Sequence, residues 1–255
     1  MKKLLSLFMT LLLAVAACFS FTACGGDNKT TLSDGKLTIG YTKYAPMNYF
    51  DNNEFVGFDT ELAKAFCEEL GVEADFVEIN WDNKLIDLES RSIDCIWNGM
   101  TITEAIKEKA SVSKAYLENK QVIVCRAEDA SKFTTKDSIK NATSIAYEKG
   151  SAGNAVCDGL EVDKEKCTEA TAQKDTLLEV KTGASEIAII DITMAKVMVG
   201  EGTSYSELVF VDVGFEVEEF GVAFRKSDEG LAKAFDLFVK YNSELVESLQ
   251  AKYFG

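Results

Sequence analysis

The sequence predicts an α/β protein of two lobes with a ligand cleft between them. Short apolar runs alternate with segments of helical period along most of the chain, the pattern of sheets covered by helices. A helix-then-strand unit also occurs twice, over residues 85–96 and again over 177–189. Each of these strands runs into a polar turn that opens a new helix, and open α/β sheets take ligands at such carboxyl ends. The third observation is bulk: 255 residues with 47% hydrophobic content suffice for one large or two medium cores.

The elements follow in chain order. Met1, Lys2 and Lys3 form a positive start, residues 4–17 an apolar run too short for a comfortable membrane span, and Phe21-Thr22-Ala23-Cys24 its end. This is a targeting segment, followed by a polar flexible tether over 24–35. Residues 36–41 read as a strand. Asp59 is placed to cap a helix in which Leu62, Phe66 and Leu70 recur every four residues, and Gly71 ends it. Residues 75–79 are a strand, 85–89 a helix and 93–97 a strand. Residues 121–125 form a long apolar strand suited to a change of lobe. Strand 143–147 leads through Gly150-Ser151-Ala152-Gly153 into a helix. Residues 177–181 are helical, 186–190 form a buried strand that ends at Asp191, and 208–213 and 219–224 are strands. One amphipathic helical tail carries Leu231, Phe235, Phe238 and Leu245.

Composition narrows the chemistry. A net charge of −15 argues against a nucleic-acid partner. The absence of histidine removes His triads, His general bases and His metal sites together. None of the seven cysteines forms a CxxC pair, so neither a zinc nor a redox site is indicated, and no cofactor is implied. Cys67 and Cys95 sit in apolar patterns and read as buried thiols. Cys157 and Cys167 flank a polar loop, where a disulfide and two free thiols are both open. No second apolar run of about eighteen residues follows the first, so the body is expected to be soluble and held at a membrane only by lipid.

Four stretches carry a resemblance. They are Tyr44-Ala45-Pro46-Met47-Asn48-Tyr49, Val56-Gly57-Phe58-Asp59-Thr60-Glu61-Leu62-Ala63, Asp94 through Asn98-Gly99-Met100-Thr101-Ile102-Thr103, and Glu219-Phe220-Gly221-Val222-Ala223-Phe224-Arg225-Lys226. Taken in order, they make the chain from about residue 36 to 254 resemble the substrate-binding proteins of polar-amino-acid ABC importers, the family 3 extracellular solute-binding proteins. The stretch ending at Cys24 is likewise similar to a bacterial lipobox, with residues 1–23 removed and Cys24 lipidated. The resemblance implies a periplasmic-binding-protein-like fold with two hinge strands, near Glu118 and Glu218. Lobe 1 is then 36–118 plus 219–255, and lobe 2 is 119–218. It implies a monomer on the outer face of the cell membrane. The monomer captures an amino acid or related small amine-bearing solute and delivers it to a membrane permease.

The resemblance also implies site residues. Tyr44, with Tyr49 or Phe50 as helpers, matches the aromatic residues that flank the ligand side chain, and Trp81 matches a further pocket wall. Asn98, Gly99 and Thr101 match a strand-to-helix turn that grips the ligand carboxylate through free backbone N–H groups; Thr103 also reads as a helix cap. Gly150, Ser151 and Ala152 match the opposing turn. Asp191 matches the acid for the ligand ammonium. Independently, it follows four apolar residues at a strand end, where a carboxylate is costly unless paired. Its other reading is the N-cap of a helix through Met194 and Val197.

The pattern breaks at Ile106, where the family places an arginine. Lys107 points about 100° away around the helix. A guanidinium holds a carboxylate bidentately, and isoleucine cannot. Two ligand classes therefore stay open: an amino acid held by amides and hydroxyls, or an amine without an α-carboxylate. An enzyme of the same fold, similar to cyclic amino-acid dehydratases, and the sensory domain of a receptor are the competing functions. A sensory domain needs a following membrane helix and signalling domain, and none precedes Gly255. For an enzyme, Glu148 is the one tempting carboxylate, and it reads as a residue of a solvated loop.

Overall fold

The computed structural model describes residues 31–255; the targeting segment, Cys24 and most of the tether lie outside them. Two sheets share no strand. The first contains β1 (Lys36–Tyr41), β4 (Glu73–Glu78), β5 (Cys95–Thr101), β6 (Ala110–Val112) and β13 (Glu218–Arg225) in the order β4-β1-β5-β13-β6, with β7 (Leu117–Asn119) also paired to β13. The second has the order β10-β9-β11-β8-β12, built from β8 (Gln121–Arg126), β9 (Ile145–Glu148), β10 (Cys167–Ala170), β11 (Ile187–Asp191) and β12 (Leu208–Val211). A small hairpin, β2 (Tyr49–Asp51) and β3 (Glu54–Val56), stands apart.

The chain changes sheet between β7 and β8 and returns between β12 and β13. The two crossings are bound to each other, because β7 pairs antiparallel with β13 at Glu118↔Glu219 and Asn119↔Glu218. The helices are α1 (Phe58–Leu70), α2 (Lys84–Glu89), α3 (Glu104–Lys109), α4 (Ala152–Gly159), α5 (Gln173–Thr182), α6 (Ile192–Met198), α7 (Glu229–Tyr241) and α8 (Ser243–Phe254).

Helix α1 shows how local sequence and packing share the work. Leu62, Ala63 and Phe66 form its buried face, and Gly71 ends it in the left-handed region at φ 71°. The cap is Gly57, not Asp59. At φ 133° a side chain on Gly57 would place its Cβ 2.1 Å from the Met47 carbonyl. Asp59 instead sits in the first turn, fully buried, where its Oδ2 accepts from the Gly99 N–H at 2.7 Å and the Tyr116 hydroxyl at 3.0 Å. An apolar helix face turned to β5 carries that carboxyl inward, so tertiary packing overrides the capping preference.

The first core is aromatic. Phe235 meets Trp97 edge-on at 4.7 Å and Phe66 at 5.4 Å between ring centroids. The helical tail that supplies Phe235 consists of two helices. Asn242 breaks it, its side chain donating to the Phe238 carbonyl at 3.0 Å and so competing with the helical ladder. The break lets α7 bury Phe235 and Phe238 while α8 buries Val246, Leu249 and Tyr253. The second lobe packs Ile123, Ile145, Tyr147, Cys157, Ile187 and Ile189 into a separate cluster.

Burial pushes the Asp59 carboxyl up to about 7, against the opposing pull of its Gly99 and Tyr116 donors. The folded state thus holds this proton more tightly than the unfolded chain, whose carboxyl titrates near 4. The contribution of Asp59 to stability is full below about pH 4 and is lost as pH rises to about 7, at about 1.4 kcal/mol per pH unit across that window. In urea unfolding at pH 4.5 and 7.5, Asp59→Asn is expected to gain on the wild type as pH rises. A difference that stays constant between the two pH values contradicts the assignment.

Candidate ligand cleft

A cavity of about 220 Å³ lies between the lobes. Its first-lobe wall begins with Tyr44, 3% exposed, whose hydroxyl meets the Thr193 hydroxyl of the second lobe at 2.5 Å. Trp81 lines the same wall from a one-turn helix, Trp81–Asn83, which the Asn80 side chain caps by accepting from the Asp82 N–H. Asn98 lines the cleft, but its amide is engaged, donating to the Thr42 hydroxyl and accepting from Asn48.

Gly99 and Thr101 also line the cleft, in a role different from the one expected. Strand β5 runs through Thr101 and α3 begins only at Glu104, so these residues belong to a strand end and not to a helix start. The Gly99 N–H is spent on Asp59, and the Thr101 hydroxyl donates to Glu218 at 3.2 Å. Thr103 caps α3 through the Ile106 N–H. Gly99 is required by space: at φ 57° its Cβ would fall 2.8 Å from the Tyr44 ring and 3.1 Å from Phe220. Ile106 lines the cleft and is nearly buried.

Tyr49 and Phe50 do not line this cleft. The chain reverses between Tyr44 and Asn48, which form an isolated bridge, and Tyr49 and Phe50 belong to the separate hairpin that follows. Tyr49 packs edge-on against Tyr253 at 6.5 Å, and Phe50 is 53% exposed.

The second-lobe wall centres on Asp191, the last residue of β11 and 5% exposed. Its carboxylate accepts from Asn119 and Gln121 at 2.6 Å each and from Gln173 at 2.8 Å. It makes no side-chain cap to α6. All of these partners are neutral, and burial raises its pKa while the Gln173, Tyr44, Gln121 and Asn119 donors oppose that shift. Asn119 and Gln121 reach the same carboxylate because residues two apart on an extended chain share a face. Both also donate to Glu218 Oε2. Sequence reasoning missed Asn119, Gln121 and Gln173; the alternation of the first two was the available signal.

Gly150, Ser151 and Ala152 all line the cleft. The Gly150 N–H donates to the Asn154 side chain, and Ser151 caps α4 by accepting from the Asn154 N–H. Gly153 lets α4 lie on β11, since a Cβ there would approach the Ile189 carbonyl to 2.6 Å. Ala152 therefore brings the first turn of α4, where helical amides lack intrahelical partners, to the cavity.

Two charged residues change the picture of the site. Glu148 is not in a solvated loop. It ends β9, is 5% exposed, lines the cleft and leaves its buried Oε1 without a hydrogen-bond partner among the described residues. Burial and the nearby Asp191 push its carboxyl up to about 8, with Lys84 pulling the other way. Lys84, which sequence reasoning did not single out, is 8% exposed and lines the opposite wall. Its ammonium donates to the Trp81 carbonyl at 3.0 Å and, across the lobes, to the Gly150 carbonyl at 2.9 Å. Burial pushes it down to about 8, opposed by Glu148 and Asp82. The only signal for it was position: Lys84 stands one helical turn before the buried Leu88. Cys157 and Cys167 are free thiols in the structure.

Two α/β lobes that meet over a small cleft are the architecture of a solute-binding protein. Residues 37–255 match the bacterial extracellular solute-binding proteins, family 3, and the chain belongs to that family. It is 31% identical over 254 residues to the arginine-binding extracellular protein ArtP of Bacillus subtilis (strain 168), covering 96% of this chain and 97% of that one. It is 26% identical over 264 residues to the L-cystine-binding protein TcyJ of Escherichia coli (strain K12), covering 100% and 95%. Among solved structures it is similar to a mutant of ArgBP from T. maritima, with a TM-score of 0.80 and 28% identity over 87% of this chain and 96% of that one.

The contact between Gly99 and Tyr44 is directly testable. Gly71→Ala carries the same positive-φ strain, at 71°, with nothing within 4 Å of the new methyl. Gly99→Ala should exceed its loss of stability by about 1–3 kcal/mol, because the added carbon overpacks the cleft floor. Urea denaturation of both variants checks this, and equal losses would show that the floor has room.

Proposed function

We propose that this protein captures an amino acid between its lobes and presents it to the membrane permease of an ABC importer. The observation that carries the reading is Asp191, a buried cleft carboxylate supported only by neutral donors. Such a group is matched by an ammonium on the ligand, because a charge-assisted hydrogen bond in a dry site is stronger than a neutral one. Tyr44 and Trp81 supply apolar faces for the rest of the solute. The relatives named for arginine and for cystine support an amino acid over an amine without a carboxylate, since both named compounds carry an α-ammonium and an α-carboxylate.

In this reading, residues 36–118 with 219–255 form lobe 1 and 119–218 form lobe 2. The crossings near Glu118 and Glu218 act as hinges, and closure on the ligand excludes water. Tyr44, Trp81, Asn98, Gly99, Thr101, Gly150, Ser151, Ala152 and Asp191 shape the pocket. Residues 1–23 are a signal removed before Cys24, whose lipid holds the protein at the outer face of the membrane through the tether. The protein acts as a binding protein, so a bound amino acid is recovered unchanged after prolonged incubation; conversion of the solute, with Glu148 as proton donor or acceptor, would point to an enzyme instead.

Three measurements test this reading. Asp191→Asn should weaken the tightest-binding amino acid by about ten- to a hundredfold in calorimetry; unchanged affinity in a folded variant refutes the ammonium contact. Saturation with that amino acid should reduce the radius of gyration in small-angle scattering, and an unchanged profile argues against hinge closure. Cys24→Ser should abolish labelling by radioactive fatty acid, and equal label on both proteins contradicts the anchor.

A further inference from the structure

We infer that Lys84 is the carboxylate anchor of this cleft, replacing from α2 the cation that Ile106 does not provide. The inference rests on the amino-acid reading above. Lys84 is the only cation among the described residues that line the cleft, and it faces two carboxylates, Asp191 and Glu148. The α-carboxylate of an amino acid entering such a site is repelled by an ionised Asp191, and Lys84 is the positive group on the wall that can receive it.

Two lobe-1 donors expected to grip a carboxylate are engaged within the protein. The Gly99 N–H serves Asp59, the Thr101 hydroxyl serves Glu218, and the Ile106 side chain has no donor. Lys84 has capacity left. An ammonium carries three N–H bonds, and the protein takes two, at the Trp81 and Gly150 carbonyls. Although the side chain is nearly buried, no carboxylate forms an ion pair with it among the described residues. Burial of the ammonium depresses its pKa, and the more distant Glu148 and Asp82 offset that only in part. A ligand carboxylate supplies the missing partner.

The position fits this role. Nζ lies 4.7 Å from the Trp81 ring, and Trp81 and Ile106 belong to one apolar cluster, so lysine and isoleucine flank the same wall. Its bond to Gly150 sets the ammonium beside the turn that opens α4. A carboxylate held by Lys84 therefore lies between that ammonium and the first amides of α4. The same side chain touches both lobes, so capture of the carboxylate and contact between the lobes go through one group.

The test uses calorimetry with the twenty common L-amino acids and L-cystine, followed by the carboxyl-amide derivative of whichever binds most tightly. Wild type should bind the acid about ten- to a hundredfold more tightly than its amide. Lys84→Met, which keeps the length of the stem, should lose about that factor for the acid while the amide changes by less than about threefold, so the preference collapses. Lys84→Arg should restore the preference. Equal losses for acid and amide in Lys84→Met would make Lys84 a structural residue and overturn the inference, as would an unchanged preference. If Lys84→Met does not fold, the wild-type comparison decides: equal binding of acid and amide means that no carboxylate anchor exists. Binding by none of the panel fails the amino-acid reading itself, and the inference with it.

Discussion

The structure depends on keeping one carboxylate satisfied where water is scarce. Asp191 ends a strand whose other residues are entirely apolar, and its oxygens must find donors in the protein. They find them in three side-chain amides. Two of these, Asn119 and Gln121, stand on the stretch of chain that passes from one sheet to the other, and the third, Gln173, opens α5. Both crossing residues also hold Glu218, which begins the return strand β13. The ligand wall and both crossings are thus parts of one hydrogen-bonded network. Removing a donor would strand a buried charge, which costs more than the bond alone is worth.

The cleft is also electrostatically unfinished. Burial raises Asp191 and Glu148 and lowers Lys84, so each of the three groups is held in an environment that disfavours its charge. Groups perturbed in this way cluster where a ligand is expected to complete the balance. A zwitterion does so with both of its ends. On the proposed reading, a solute with one pole leaves one of these groups unmatched, and closure would depend on the chemistry of the solute through differential interaction with the open and closed states.

Rigidity behind the cleft comes from the first core. Asp59 ties α1 to the backbone of Gly99 and to Tyr116, and Gly99 in turn lies against the Tyr44 ring. The aromatic cluster of Phe66, Trp97, Phe235 and Phe238 packs beneath. A pocket wall held by packed elements keeps its geometry better than one built on loops. The glycine that brings ring and backbone together is therefore as much a part of the cleft as the side chains that line it.

The sequence by itself determined the elements and their punctuation. Leu62 and Phe66 mark a helical face, Gly71 its end, Ser151 a helix start, and the apolar run before Asp191 a buried strand with a costly terminus. These are short-range facts, set by backbone preference and by the period of apolar residues. The family motifs added Tyr44 and Trp81 to the same cleft. Tertiary structure decided the rest. It spent the Gly99 amide on Asp59, sent Tyr49 toward Tyr253, broke the tail at Asn242, and buried Lys84 and Glu148 on facing walls. Apart from the break at Asn242, whose side chain bonds a carbonyl four residues back, none of these was legible, because each depends on a partner far away in the chain. Lys84 and Gly150 are 66 positions apart, and Gly99 and Asp59 are 40 apart. A lysine or glutamate looks the same in sequence whether it meets water or another lobe. Only the approach of one lobe to the other shows that these two side chains line one cleft.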